Sequence, residues 1–179
     1  MKKVYALHFL VDSGFVSRME IKAQVGLTLE VKPPLILCWN GLHGSIQLID
    51  ALDYARGALL EYCEYSGKIL YGDDKLCASQ RKTLWLFDAT NLLYEFARNI
   101  VEQRLHHSVK YIWEDNRSAV QTARETAAWA IQEIETRTAR GMARWKAART
   151  KQNKELTARV VAQMPQELRG KVENHKEVI

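Results

Sequence analysis

Few residues in this chain stand at spacings that do chemistry. His43 is the most pointed, because Gly41-Leu42 precedes it and Gly44 follows. An imidazole in so tight a loop either binds a ligand or packs the turn with one nitrogen satisfied. His106-His107 invites a metal reading. Adjacent helical positions point about 100° apart, however, and no Cys or carboxylate stands at matching spacing, so the pair reads as part of a solvated connector. Asp73-Asp74-Lys75 reads as a hairpin turn with exposed charge. Cys38, Cys63 and Cys77 are odd in number, lack a C-x-x-C pair, and lie in predicted strands as small core residues. No phosphate-binding glycine loop, G-x-S-x-G turn or H-E-x-x-H pair occurs, so the sequence nominates no catalytic residue and no metal ligand.

Charge is the stronger signal. The net charge of +5 lies wholly in the second half, and eight basic residues stand against a single acid, Glu155, between Arg137 and Arg159. Arg137, Arg140, Arg144 and Lys151 fall at i, i+3, i+7 and i+14, one face of a helix. Aligned cations can track a phosphate backbone by displacing its counterions. They can equally meet an acidic protein surface, or simply form the solvated face of a long helix. With no catalytic motif competing, this stripe is the candidate partner-binding surface.

These cations ride on the longest periodic segment. Val120, Ala127, Ile131, Ile134, Thr138, Met142, Trp145, Arg149, Gln152, Leu156 and Val160 follow one another, after a first step of seven, by three or four residues. No proline interrupts the stripe. A continuous helix over 117–163 would be about 70 Å long, and a rod of that length needs a partner, either the rest of the chain or another molecule. An antiparallel dimer of such arms is one way to cover the seam.

The first half is read as strands joined by turns. Val4–Val11 is a buried strand; Asp12 cuts its apolar run short and no small-residue cleavage site follows, so a secretory leader fits less well. Met19, Ile21, Ala23 and Val25 alternate with polar residues and predict a half-buried strand within 15–31. Leu35–Trp39 reads as a short apolar strand, and Ser45 as the cap of a helix over 46–54. Strands follow at 58–65, 68–71 and 76–86. Asp88 then caps a helix over 89–104, whose apolar face is Leu92, Leu93, Phe96, Ala97, Ile100 and Val101. Strands first and helices after predict an α+β fold: a small N-terminal mixed or antiparallel sheet, a helix, and a long C-terminal amphipathic helix. The expected divisions are a body over 1–105, a connector over 106–116, a helical arm over 117–163 and a polar tail over 164–179. No apolar run approaches the ~18 residues of a membrane span, and the unpaired cysteine count predicts a reducing cytoplasm.

Three pieces stand in a recognisable order: Cys38-Trp39-Asn40-Gly41-Leu42-His43 with Asp50-Ala51-Leu52-Asp53-Tyr54-Ala55, then Gly67-Lys68-Ile69 with Asp73-Asp74-Lys75-Leu76-Cys77-Ala78-Ser79, then Leu92-Leu93 with Glu95-Phe96-Ala97-Arg98. Over roughly residues 35 to 155 the chain resembles a group of uncharacterised bacteriophage, prophage and mobile-element proteins with Ala-, Trp- and Arg-rich tails. The resemblance implies a protein working in the cytoplasm of a bacterial host. Its expected role is an accessory or anti-defence factor that occupies a host macromolecule, as a CRISPR–Cas inhibitor does.

The segment Gly41-Leu42-His43, Ser45, Ala51-Leu52 and Tyr54 is similar to one in ADP-ribosyltransferases. That resemblance implies, as an alternative, an enzyme using NAD at His43, Ser45 and Tyr54, with His8 as its early-strand residue; no cofactor is expected otherwise. Glu61 and Glu64 stand earlier than the late-strand glutamate of those enzymes. The expected partner is a host protein or ribonucleoprotein with an acidic or phosphate-bearing surface. A nucleic-acid-binding homodimer is a further alternative.

Overall fold

The computed structural model describes residues 3–16, 21–105, 118–131 and 139–173. The fold is α+β, as expected. The strands are β1 (Val4–Leu10), β2 (Thr28–Glu30), β3 (Leu42–Gly44), β4 (Leu59–Tyr71) and β5 (Leu76–Asp88). The helices are α1 (Leu48–Asp53), α2 (Thr90–Leu105), α3 (Ala119–Ile131), α4 (Ala139–Gln163) and α5 (Gln166–Glu173).

All strand pairings are antiparallel. The long β4–β5 hairpin is the centre, with β1 on the far side of β4 and both β2 and β3 along β5. Leu7 and Ser45 exchange both backbone hydrogen bonds at 2.9 Å, which brings the chain just past β3 against β1 and curls the sheet back on itself. Ser45 is therefore a buried bridge residue. The helix it was expected to cap has Gln47 at the cap position, without a side-chain cap bond. Asn153 of α4 accepts the Ile49 N–H at 3.1 Å instead, supplying from another helix what the local sequence lacks.

Strand registers sort the side chains. Leu7, Phe9, Leu60 and Tyr62 share one face and join the largest apolar cluster with α1, α2, α3 and α4. Val4, Ala6, His8, Glu61, Cys63 and Tyr65 share the other. Asp88 caps α2 as expected, its Oδ1 accepting the Thr90 N–H at 2.9 Å.

Besides the cap, three expectations are corrected. Within the alternating segment the described residues 21–25 form no strand: they make one bridge, Lys22 to Phe15, and Val25 is 63 % exposed, while Met19 lies outside the described residues. Only Thr28–Glu30 pairs as a strand, since alternation sorts side chains only where a neighbouring backbone extends the sheet. The run Leu35–Trp39 is a turn closed by the Ile36 and Asn40 backbones, with Cys38 exposed at φ 70° rather than in the core. Cys63 and Cys77 are buried, as expected.

The third correction concerns the arm. Gln152 Nε2 donates to the Ala127 carbonyl at 2.9 Å, across 25 residues that would span about 37 Å of continuous helix. The described halves, α3 and α4, thus lie side by side. Val120, Ala127, Leu156 and Val160 of the seam enter the body's main cluster, and Ile131 and Gln152 are also buried. Ile134 and Thr138 lie outside the described residues, and Met142 is 40 % exposed. The seam's partner is mainly the chain's own body, so 1–105 and the arm share one core. The expected connector over 106–116 lies outside the described residues; the tail includes α5.

Candidate functional site

A cleft of about 310 Å³ opens where β1, β3, the 38–41 turn and the end of α1 meet. Leu7, Phe9 and Ala51 supply apolar wall, and His8, Trp39, His43, Ser45, Tyr54, Arg56 and Lys75 supply the polar and aromatic groups. His43, Ser45 and Tyr54, 11 positions apart from first to last in the sequence, converge here. The sequence marks His8 only as an early-strand candidate and assigns none of Trp39, Arg56 and Lys75 to a site.

His43 does more bracing than binding. Its Nε2 accepts the Cys38 N–H at 3.0 Å, closing the turn, and its carbonyl accepts the Tyr65 hydroxyl at 2.8 Å. Burial, followed by the nearby His8 and Lys75 charges, lowers its pKa and favours the neutral ring that this acceptor role requires. Gly44 makes the arrangement possible: a Cβ there would collide with the Tyr65 ring and hydroxyl. Tyr54 follows the last residue of α1; its hydroxyl donates to Asp74, which raises its pKa, and the Lys75 ammonium sits 4.0 Å from its ring centre. Asp73 and Asp74 line a smaller neighbouring hollow with Asp50, so the hairpin turn is docked rather than only solvated.

Behind the cleft lies a buried ionic group. Glu61 is 0 % and Arg81 2 % exposed by side chain, with Arg81 Nη2 2.9 Å from Glu61 Oε1. The His8 Nδ1 lies 3.0 Å from the same oxygen, and Thr83 donates to Oε2 at 3.0 Å. Burial would raise the Glu61 pKa, but the His8 hydrogen bond and the Arg81 guanidinium outweigh it and hold the carboxyl below its ordinary value. An ionised carboxylate only accepts, so Nδ1 of His8 carries the proton and Nε2 remains as its acceptor. Burial, only partly offset by Glu61, lowers the His8 pKa. Arg81 also reaches the His43 carbonyl at 3.4 Å, while its Nε has no partner among the described residues. One carboxylate thereby orients an imidazole on the cleft wall and anchors the guanidinium that helps hold β3.

The second candidate surface is α4. Leu156, Val160 and Gln152 face inward, and Arg149 bonds the Ile49 carbonyl at 3.2 Å and the carboxylates of Asp50 and Asp53. Arg140, Arg144 and Lys151 are exposed, as are Lys146 and Lys154. At 100° per residue the first three lie within about 40° of one another and roughly opposite Leu156. Lys151 donates to Gln103 of α2 at 3.2 Å. Arg137, the remaining member of the stripe, lies outside the described residues.

Fold and surfaces together define a curled antiparallel sheet packed on one side by helices, with a small-molecule-sized cleft and a basic helix face. Among the described residues no helix is long and apolar enough to cross a membrane, and no group of three His, Cys, Asp or Glu is placed to hold a metal. The chain matches no family model, no curated protein and no solved structure.

Proposed function

We propose that the chain acts by binding: the outer face of α4 docks on an acidic or phosphate-bearing surface of a host macromolecule. The carrying observation is that α4 buries its apolar side against the body while Arg140, Arg144 and Lys151 remain exposed together. A docked helix presents cations in fixed register, and arginine pairs bidentately with carboxylate or phosphate. The resemblance to phage and mobile-element proteins suggests the setting, an anti-defence factor in a bacterial cytoplasm, with inhibition of a CRISPR–Cas complex as one concrete form. An arm-to-arm homodimer is less well supported, because most of the described seam is already covered by the body.

The test is capture from a bacterial lysate with the wild-type chain and with Arg140→Glu combined with Arg144→Glu, each with and without nuclease. The wild type should retain a partner that the variant loses, and nuclease sensitivity decides whether nucleic acid bridges them. Equal capture by both chains rejects this surface.

The convergence of His43, Ser45 and Tyr54 on one cleft favours the NAD-using enzyme as a second reading. Against it, no carboxylate lines the cleft, and Glu61 is wholly buried and bonded through both oxygens. Transfer of label from NAD to a host extract, abolished by His43→Ala with Tyr54→Phe in a folded chain, would favour the enzyme and displace the binding reading.

A further inference from the structure

The cleft has a composition of its own, independent of α4. Arg56 and Lys75 are cationic, and no lining residue is a carboxylate; Asp74, which accepts the Tyr54 hydroxyl, lines the neighbouring hollow. A half-enclosed space with one sign of charge concentrates the opposite sign. Lys75 is fixed over the Tyr54 ring, whereas Arg56 is exposed and forms no ion pair among the described residues. Two aromatic side chains stand at this mouth: Trp39, 74 % exposed, and Tyr54. Leu7 and Phe9 add apolar wall, and His8 contributes an imidazole whose orientation Glu61 sets. The volume falls at the small end of the range for ligand pockets, about 300–1,000 Å³.

We propose that this cleft binds a phosphate monoester carried on a planar aromatic body. Arg56 and Lys75 hold the phosphate, and Trp39, with the rim of Tyr54, contacts the ring. Phosphate suits the pair of cations better than a carboxylate does, because its second negative charge gives each one a partner. The aromatic body follows from the rim, since the exposed Trp39 indole beside an apolar wall rewards a flat ring over an aliphatic chain, while Lys75 covers one side of the Tyr54 ring.

Calorimetric titration of the full chain with phenyl phosphate tests this, with phenol, benzoate and inorganic phosphate as separate titrants. Phenyl phosphate should bind at least about tenfold more tightly than each of the others, because it alone satisfies both halves of the cleft. Arg56→Ala and Lys75→Gln should each weaken it by about tenfold, the loss expected for one charge-assisted hydrogen bond. Trp39→Ala should weaken phenyl phosphate and leave inorganic phosphate unchanged. These three substitutions fall on side chains outside the core, and circular dichroism verifies the fold of each. Arg140→Glu with Arg144→Glu should leave phenyl phosphate affinity unaltered, which separates this site from the α4 surface. Equal affinity for phenol or for benzoate overturns the phosphate assignment. No detectable heat with phenyl phosphate, or loss of its binding on reversing the α4 charges, overturns the site.

Discussion

On one face of the sheet Leu7, Phe9, Leu60 and Tyr62 meet the helices through carbon; on the other, Glu61 and Arg81 meet at full burial through charge. The apolar face tolerates imprecision, because dispersion and water exclusion have no required direction. It even encloses a Tyr62 hydroxyl with no partner among the described residues. The charged face has no such latitude. Glu61 there has acceptor bonds to His8 and Thr83 and an ion pair with Arg81, and the loss of any one leaves a desolvated group behind. The cleft opens beside the exacting face, which is where side-chain orientation can be held.

Breaking the charged face should therefore be the costliest change. Glu61→Ala leaves Arg81 buried without its counterion and should reduce unfolding free energy by about 3–5 kcal/mol in urea denaturation. Glu61→Leu with Arg81→Met should recover part of that loss, since a matched apolar pair avoids the stranded charge but leaves the Thr83 hydroxyl and the His8 Nδ1–H without their acceptor. Failure of the double variant to recover would mean that the ion pair also determines how β3 sits.

On the apolar face Leu156→Ala removes a fully buried side chain where α4 meets the main cluster, and should cost about 2–5 kcal/mol. Met142→Ala, on the exposed part of the same stripe, should change stability by less than about 0.5 kcal/mol. Similar losses at both positions would contradict the docking of α4 described above.

Acid should act on the charged face first. The His8 pKa is lowered in the fold, so the unfolded chain binds the extra proton more readily, and stability falls as pH drops below the ordinary histidine value of about 6.5. The lowered Glu61 pKa adds stability above the ordinary carboxylate value of about 4.3, and this is lost as pH falls through the folded value. Melting temperature should decline in two stages on acidification, and His8→Gln should reduce the earlier one, with His43, whose pKa burial also lowers, supplying the remainder. A profile unchanged by that substitution would place the titrating group elsewhere.

The smallest effect on stability belongs to the surface proposed for function. Arg140→Glu with Arg144→Glu should shift unfolding free energy by no more than about 0.5 kcal/mol per site, as expected for exposed charges remote from the core. The same variant should lose its partner, and wild-type capture should weaken between low and physiological salt as screening shortens the reach of the charges.

How much of this was legible in the residues varies by element. The strand at Val4–Leu10, the turn at 72–75 and the Asp88-capped helix declare themselves, because period, turn residues and a capping carboxylate are local signals; Ser66-Gly67, read as a turn between strands at 58–65 and 68–71, is instead an irregularity inside the single strand Leu59–Tyr71. The segment around Ile21 and Val25 misleads, because alternation without a neighbouring strand leaves Ile21 and Val25 exposed and only the small Ala23 buried. His43, Ser45 and Tyr54 were recognisable as a group; Lys75 and Arg56 were not, since only the docking of the hairpin turn and the end of α1 brings them to the same opening.

Sequence alone determined the periodic elements and the basic outer face of α4, both encoded in spacings of two to four residues. Tertiary structure decided what those spacings meet. Whether the seam of α3 and α4 becomes a free arm or folds onto the body depends on an apolar surface assembled from β1, α1, β4 and α2. The His8–Glu61 pair joins residues 53 positions apart, and its existence rests on the β1–β4 register. A slip of β1 by one residue would turn His8 to the face opposite Glu61, because strand side chains alternate with a period of two.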